Sequence, residues 1–131
     1  MTAPYLLDTN ALIALVIADH EHHQRVATWA RGVARIAVCP IVEGGLLRFL
    51  IRIGESTATA TALLAALADA DRCEFWADSI SYVDVTLDHV HGHRQVTDAY
   101  LAALAASRGA RLATLDEGLA AALPDQVLLI P

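Results

Sequence analysis

Short apolar segments alternating with longer helical ones predict an α/β fold with a central, mostly parallel sheet covered on both faces. Three observations carry that expectation. The apolar segments at 4–8, 35–39, 73–76, 111–115 and 127–130 are of strand length. The stretches between them hold helix punctuation such as Pro40, Gly54, Ser56 and Gly109. The chain is 56% hydrophobic, and much of that is alanine, the strongest helix former.

Taken in order, residues 4–8 read as a buried strand ending at Asp8-Thr9-Asn10, after which apolar periodicity suggests a helix to about residue 18. A second helix is expected over 22–32 and a second strand over 35–39. Pro40 suits the first turn of a third helix that Gly54 ends near residue 53. Ser56 can cap a fourth helix through residue 71, and 73–76 reads as a third strand. Residues 78–94 are the least patterned, with a short helix placed at 81–87. A fifth helix over 95–107 closes at Gly109. It is followed by a strand at 111–115, a short helix at 117–122 and a last strand at 127–130.

Length and composition bound the function. The 131 residues fit one domain, with no repeat, linker or low-complexity tract. No apolar run approaches the ~20 residues needed to cross a bilayer, and no basic segment precedes the N-terminal apolar stretch. These features, with two cysteines (Cys39 and Cys73) in apolar contexts that read as buried free thiols, point to a cytoplasmic protein with no membrane association. The net charge of −6 disfavours nonspecific binding to nucleic acid, which relies on phosphate neutralisation. All nine basic residues are arginine, however, the side chain that makes forked contacts to phosphate.

Four acids stand where a lone carboxylate is costly: Asp8, Glu43, Asp98 and Asp116, each beside or inside an apolar segment. Each has an ordinary explanation as a helix cap, a first-turn acid or a turn residue. Together they fall at the same edge of the inferred sheet, outside the carboxyl ends of the strands, where such folds bind ligands. Converging carboxylates raise one another's pKa, and a hard divalent cation relieves the repulsion. The pattern therefore points to a metal-dependent hydrolase.

The segments Leu6-Leu7-Asp8-Thr9-Asn10, Glu43, Thr97-Asp98-Ala99-Tyr100-Leu101 and Ala113-Thr114-Leu115-Asp116 resemble the signature of PIN-domain ribonucleases, and especially the VapC toxins of bacterial toxin–antitoxin pairs. The resemblance spans essentially the whole chain. It implies a three-layer α/β/α sandwich and RNA cleavage dependent on one or two Mg²⁺ or Mn²⁺ ions. It maps the acidic quartet onto Asp8, Glu43, Asp98 and Asp116, with Asn10 and Thr114 as supporting polar residues. Asp8, Asp98 and Asp116 are then expected as metal ligands, and Glu43 as a ligand or a group orienting the attacking water. The resemblance further implies a VapB-type antitoxin, a homodimer, and a tRNA or ribosomal RNA loop as substrate, with translation inhibited. Where the family often has a basic residue after the last acid, this chain has Glu117, which reads as solvent-facing.

Basic candidates for RNA contact are Arg48 and Arg52, one turn apart on the third helix, and His93 and Arg94 just before the Asp98 helix. The histidine groups at 20, 22, 23 and at 89, 91, 93 lack the cysteine pair of a zinc site and read as loops lining the RNA entrance. Three rival readings are weaker. A haloacid-dehalogenase-type phosphatase needs a second acid where Asn10 stands, and a lysine that the chain lacks. A catalytically silent PIN-like module that binds protein or RNA sits poorly with the intact quartet. A structure-specific DNA nuclease of the same fold sits poorly with the short chain.

Overall fold

The computed structural model describes residues 3–131. The first strand, β1 (Tyr5–Leu7), runs into Asp8, whose carboxylate caps α1 (Thr9–Val16) by accepting the Ala11 amide. α1 ends short of residue 18 because Ile17, following β-branched Val16, is extended. Next come α2 (His23–Arg31) and β2 (Ile36–Val38). Pro40 opens α3 (Pro40–Arg52), and the Ser56 hydroxyl accepts the Thr59 amide to cap α4 (Thr57–Ala68). β3 (Cys73–Phe75) is the third strand. The helix expected at 81–87 is a single 3₁₀ turn, Tyr82–Asp84, closed by the Ser81 hydroxyl on the Val83 amide. The β-branched residues Val83, within the turn, and Val85 and Thr86, after it, give little support to a longer helix. A second 3₁₀ turn, His93–Gln95, runs directly into α5 (Val96–Ser107). Gly109 adopts φ +67°, the left-handed geometry that lets the chain leave α5. It then enters β4 (Arg111–Thr114), α6 (Glu117–Ala122) and β5 (Val127–Leu129).

The sheet is five-stranded in the order β3-β2-β1-β4-β5, and every pairing is parallel. The expectation of a mostly parallel sheet is thus met by a wholly parallel one. From β1 the chain steps outward through β2 to β3, then returns across the sheet to β4 and outward to β5. Because such crossovers are right-handed, the reversal puts α1 to α4 on one face and α5 and α6 on the other. The result is the three-layer sandwich. Both layers bury apolar residues against the sheet: Leu12, Leu46 and Leu50 from one side, Leu101 and Leu104 from the other, all at most 1% exposed. The strands are short apolar runs because both of their faces are covered. Among the described residues no helix is long and apolar enough to cross a membrane.

The reversal of strand order lies between β1 and β4, which pair Leu6 with Leu112 and Leu7 with Ala113. Open parallel sheets form a crevice at that point, beyond the strand carboxyl ends. Asp8 follows β1 and Asp116 lies two residues after β4, so the fold delivers both acids to the crevice.

Candidate active site

Asp8 is only 4% exposed, and its position is fixed by three contacts. Its amide donates to the Ala113 carbonyl at 3.2 Å, which ties it to β4. Its Oδ1 accepts the Ala11 amide at 2.8 Å, and its Oδ2 accepts the Thr114 hydroxyl at 2.5 Å. Thr114, fully buried, has a second role: its Oγ1 accepts the Asp116 amide at 3.0 Å. One hydroxyl therefore bridges the side chain of one acid to the backbone of another. Asp116 is exposed and caps α6, its Oδ1 accepting the Leu119 amide at 3.1 Å. The ordinary reading of Asp8 and Asp116 as helix caps is correct in geometry and leaves carboxylate lone pairs free for other ligands.

Asp98, half-buried in the first turn of α5, completes the group from the opposite layer. Its carboxylate has no hydrogen-bond donor among the described residues. Desolvation, then the charges of Asp8 and Asp116, push its pKa up to about 6. Burial also raises Asp8, opposed by its bonds to Thr114 and Ala11 and reinforced by Asp116. The structure thus brings Asp8, Asp98 and Asp116 into one electrostatically coupled cluster.

Glu43 is not among the charges that act on Asp8 or Asp98. It lies half-buried in the first turn of α3, and its pKa is raised by desolvation and then by the charge of Asp78. Asp78 lies three residues beyond the end of β3, on the strand-end edge of the sheet but without the immediate strand-to-acid step that marks Asp8. It also faces Cys39, a fully buried thiol pushed up to about 11 chiefly by burial. Both cysteines are free thiols, Cys39 buried and Cys73 half-buried.

The donor chemistry of the cluster fits a hard divalent cation: oxygen ligands only, mutually repelling, one of them without a hydrogen-bond partner. The side chains are not drawn together into a finished ligand set. Among the described residues, no three His, Cys, Asp or Glu side chains are gathered closely enough to hold an ion as they stand.

Two cavities adjoin the cluster. A small one of about 110 Å³ is walled by Asp98, Asp116, Gln95 and His89. Gln95 shapes it by accepting the amides of His91 and Gly92, which holds the preceding loop against α5. The other, about 400 Å³, is the first part of a groove and is lined by Asp8, Asp116, Asn10, His20, Glu21 and His22. Asn10 and His20 also line the second part, about 640 Å³, which leads to Arg48, Phe49 and Arg52. The groove therefore runs from the carboxylates to two exposed arginines, and no acid lines its far half. His93 and Arg94 are exposed in the 3₁₀ turn before α5, outside both cavities. Glu117 is exposed, as expected.

Residues 5–122 match the family model described as PIN domain. The chain is 50% identical over 127 residues to ribonuclease VapC29 of Mycobacterium tuberculosis, covering 96% of both chains. It is 40% identical over 120 residues to ribonuclease VapC38 of the same species, covering 86% of this chain and 85% of that one. Among solved structures it resembles M. tuberculosis VapC20, described as a sarcin–ricin loop cleaving toxin. That match has a TM-score of 0.71 and 19% identity, over 97% of this chain and 99% of the other, and at that identity it speaks for the fold. Sequence, architecture and the placing of the acids agree, and the chain belongs to the PIN-domain family, in its VapC-type ribonuclease branch.

Proposed function

We propose that this protein is a Mg²⁺- or Mn²⁺-dependent endoribonuclease, the toxin of a toxin–antitoxin pair, which cuts a tRNA or a ribosomal RNA loop and so inhibits translation. The observation that carries the reading is the coupled cluster of Asp8, Asp98 and Asp116 at the head of a groove that ends in Arg48 and Arg52. Its relatives are named ribonucleases, and the fold neighbour is described as cleaving the sarcin–ricin loop. A VapB-type antitoxin and a homodimer belong to the same proposal.

Asp8, Asp98 and Asp116 would hold the cation, and Glu43, from the first turn of α3, would serve as a further ligand or as the group that orients the attacking water. When bound, the cation lowers the pKa of water and stabilises negative charge on phosphoryl oxygens. The protein's own contribution is positional. Thr114 and the Ala11 amide hold Asp8 in one orientation, and the Asp116 amide is anchored to the same hydroxyl. The two arginines supply the local positive charge that the chain as a whole lacks, and they would bind phosphates of the RNA backbone at a distance from the one held at the carboxylates.

The test is cleavage of total bacterial RNA by purified, antitoxin-free protein with Mg²⁺, Mn²⁺ or EDTA, with Asp98→Asn alongside. Discrete fragments that require both the cation and Asp98 are the expected result, and their ends identify the substrate. Intact RNA in the presence of folded, metal-loaded protein would shift the reading to a binding module.

A further inference from the structure

The groove has a waist, formed by the two residues common to both of its halves, Asn10 and His20. His20 is held there by its own loop. The His22 amide donates to His20 Nδ1 at 3.0 Å. A ring nitrogen that accepts a backbone N–H carries no proton, so the neutral ring has its proton on Nε2. With Nδ1 engaged by the loop, Nε2–H is the polar group that this half-buried, groove-lining ring has left to offer a ligand. His20 thus brings an N–H donor of fixed tautomer to the waist between the carboxylates and the arginines, beside the Asn10 amide.

The surroundings specify what that donor meets. At one end are mutually repelling carboxylates, and at the other are Arg48 and Arg52, neither in an ion pair among the described residues. An anionic strand laid along the groove would have one phosphate at the acidic centre and later ones at the arginines. The nucleotide between them would lie at the waist. We infer that His20 is a substrate-binding residue whose Nε2–H donates to an oxygen of the nucleotide flanking the cleaved bond. This rests on the ribonuclease reading and adds a contact that fixes which phosphate is brought to the acids.

The test separates this role from mere support of the loop. Asparagine can accept the amide two residues on, as in an Asx turn, but its shorter side chain does not reach the groove. His20→Asn therefore keeps the turn and removes the donor, whereas His20→Ala removes both. In an Asp98→Asn background that cannot cut, binding of a short fluorescein-labelled single-stranded RNA of mixed sequence is followed by anisotropy. Mn²⁺ affinity and thermal midpoint are measured on the same His20 variants with Asp98 intact. Both His20 substitutions are expected to weaken RNA binding by about ten-fold, the scale of one hydrogen bond to a charged group. Mn²⁺ affinity and midpoint should hold for His20→Asn. If His20→Asn binds RNA like its parent, the residue serves the loop alone and the inference is overturned. If the parent itself binds no RNA, the ribonuclease reading falls, and the inference with it.

Discussion

Thr114 does more than its size suggests, since its one hydroxyl both donates to Asp8 and accepts from the Asp116 amide. Thr114→Val keeps the shape and removes both bonds, which leaves a buried carboxylate one donor short. The expected cost is about 1–3 kcal/mol in urea unfolding, with Thr114→Ser close to the parent. Asp98 gives a pH signature. Its pKa is about 6 in the folded protein, against 3.8 for the free side chain, so between those values the native state keeps a proton that the unfolded chain has lost. The metal-free protein is therefore expected to lose stability as pH rises from about 4 to about 6. Thermal melts of the metal-free protein should show that slope, and Asp98→Asn should flatten it. These residues differ in how readable they are in the sequence. Asp8 stands directly after an apolar strand and Asp116 two residues after another, and parallel topology sends strand ends to one edge. That Glu43 has Asp78 for its charged neighbour was not readable, because it depends on how α3 sits over the end of β3.

Helix α3 shows how an element can be legible in outline and not in detail. Pro40 at its start and the near-continuous apolar run mark a buried helix, and Arg48 and Arg52 stand out as its cationic pair. Its closeness to α1 is set by Gly45: a Cβ there would lie 2.4 Å from the Thr9 methyl. Gly45→Ala is expected to push the helices apart, lower the thermal midpoint and weaken RNA binding through the shared groove wall. The Arg48→Ala/Arg52→Ala protein should fold normally and bind RNA with a shallower salt dependence. Neutralising two phosphates on a single strand corresponds to a slope of about −1.4 in log K against log salt, most of which the double variant should lose. The 78–94 segment was poorly legible because tertiary bonds shape it. Tyr100 donates to the Ile80 carbonyl at 2.9 Å and Gln95 clamps the amides of His91 and Gly92. Those bonds replace the local helix that the residues could not sustain alone.

At the scale of the whole molecule, an acidic chain is arranged to handle an anionic polymer. The net charge of −6 is offset locally, with carboxylates collected at the sheet's switch point and arginines at the far end of one groove. Such an arrangement is repulsive until a cation joins it. Binding that favours the native state raises the melting temperature by mass action, so Mn²⁺ is expected to stabilise the protein and EDTA to reverse the gain. The most direct test is calorimetric titration of the metal-free protein with Mn²⁺, comparing the parent with Asp98→Asn and Glu43→Gln. Saturable binding by the parent is expected, with a loss of at least ten-fold in Asp98→Asn and a smaller loss in Glu43→Gln, which lies outside the coupled three. Equal affinity in all three proteins, or no binding by the folded parent, would contradict the claim that Asp8, Asp98 and Asp116 form a metal centre.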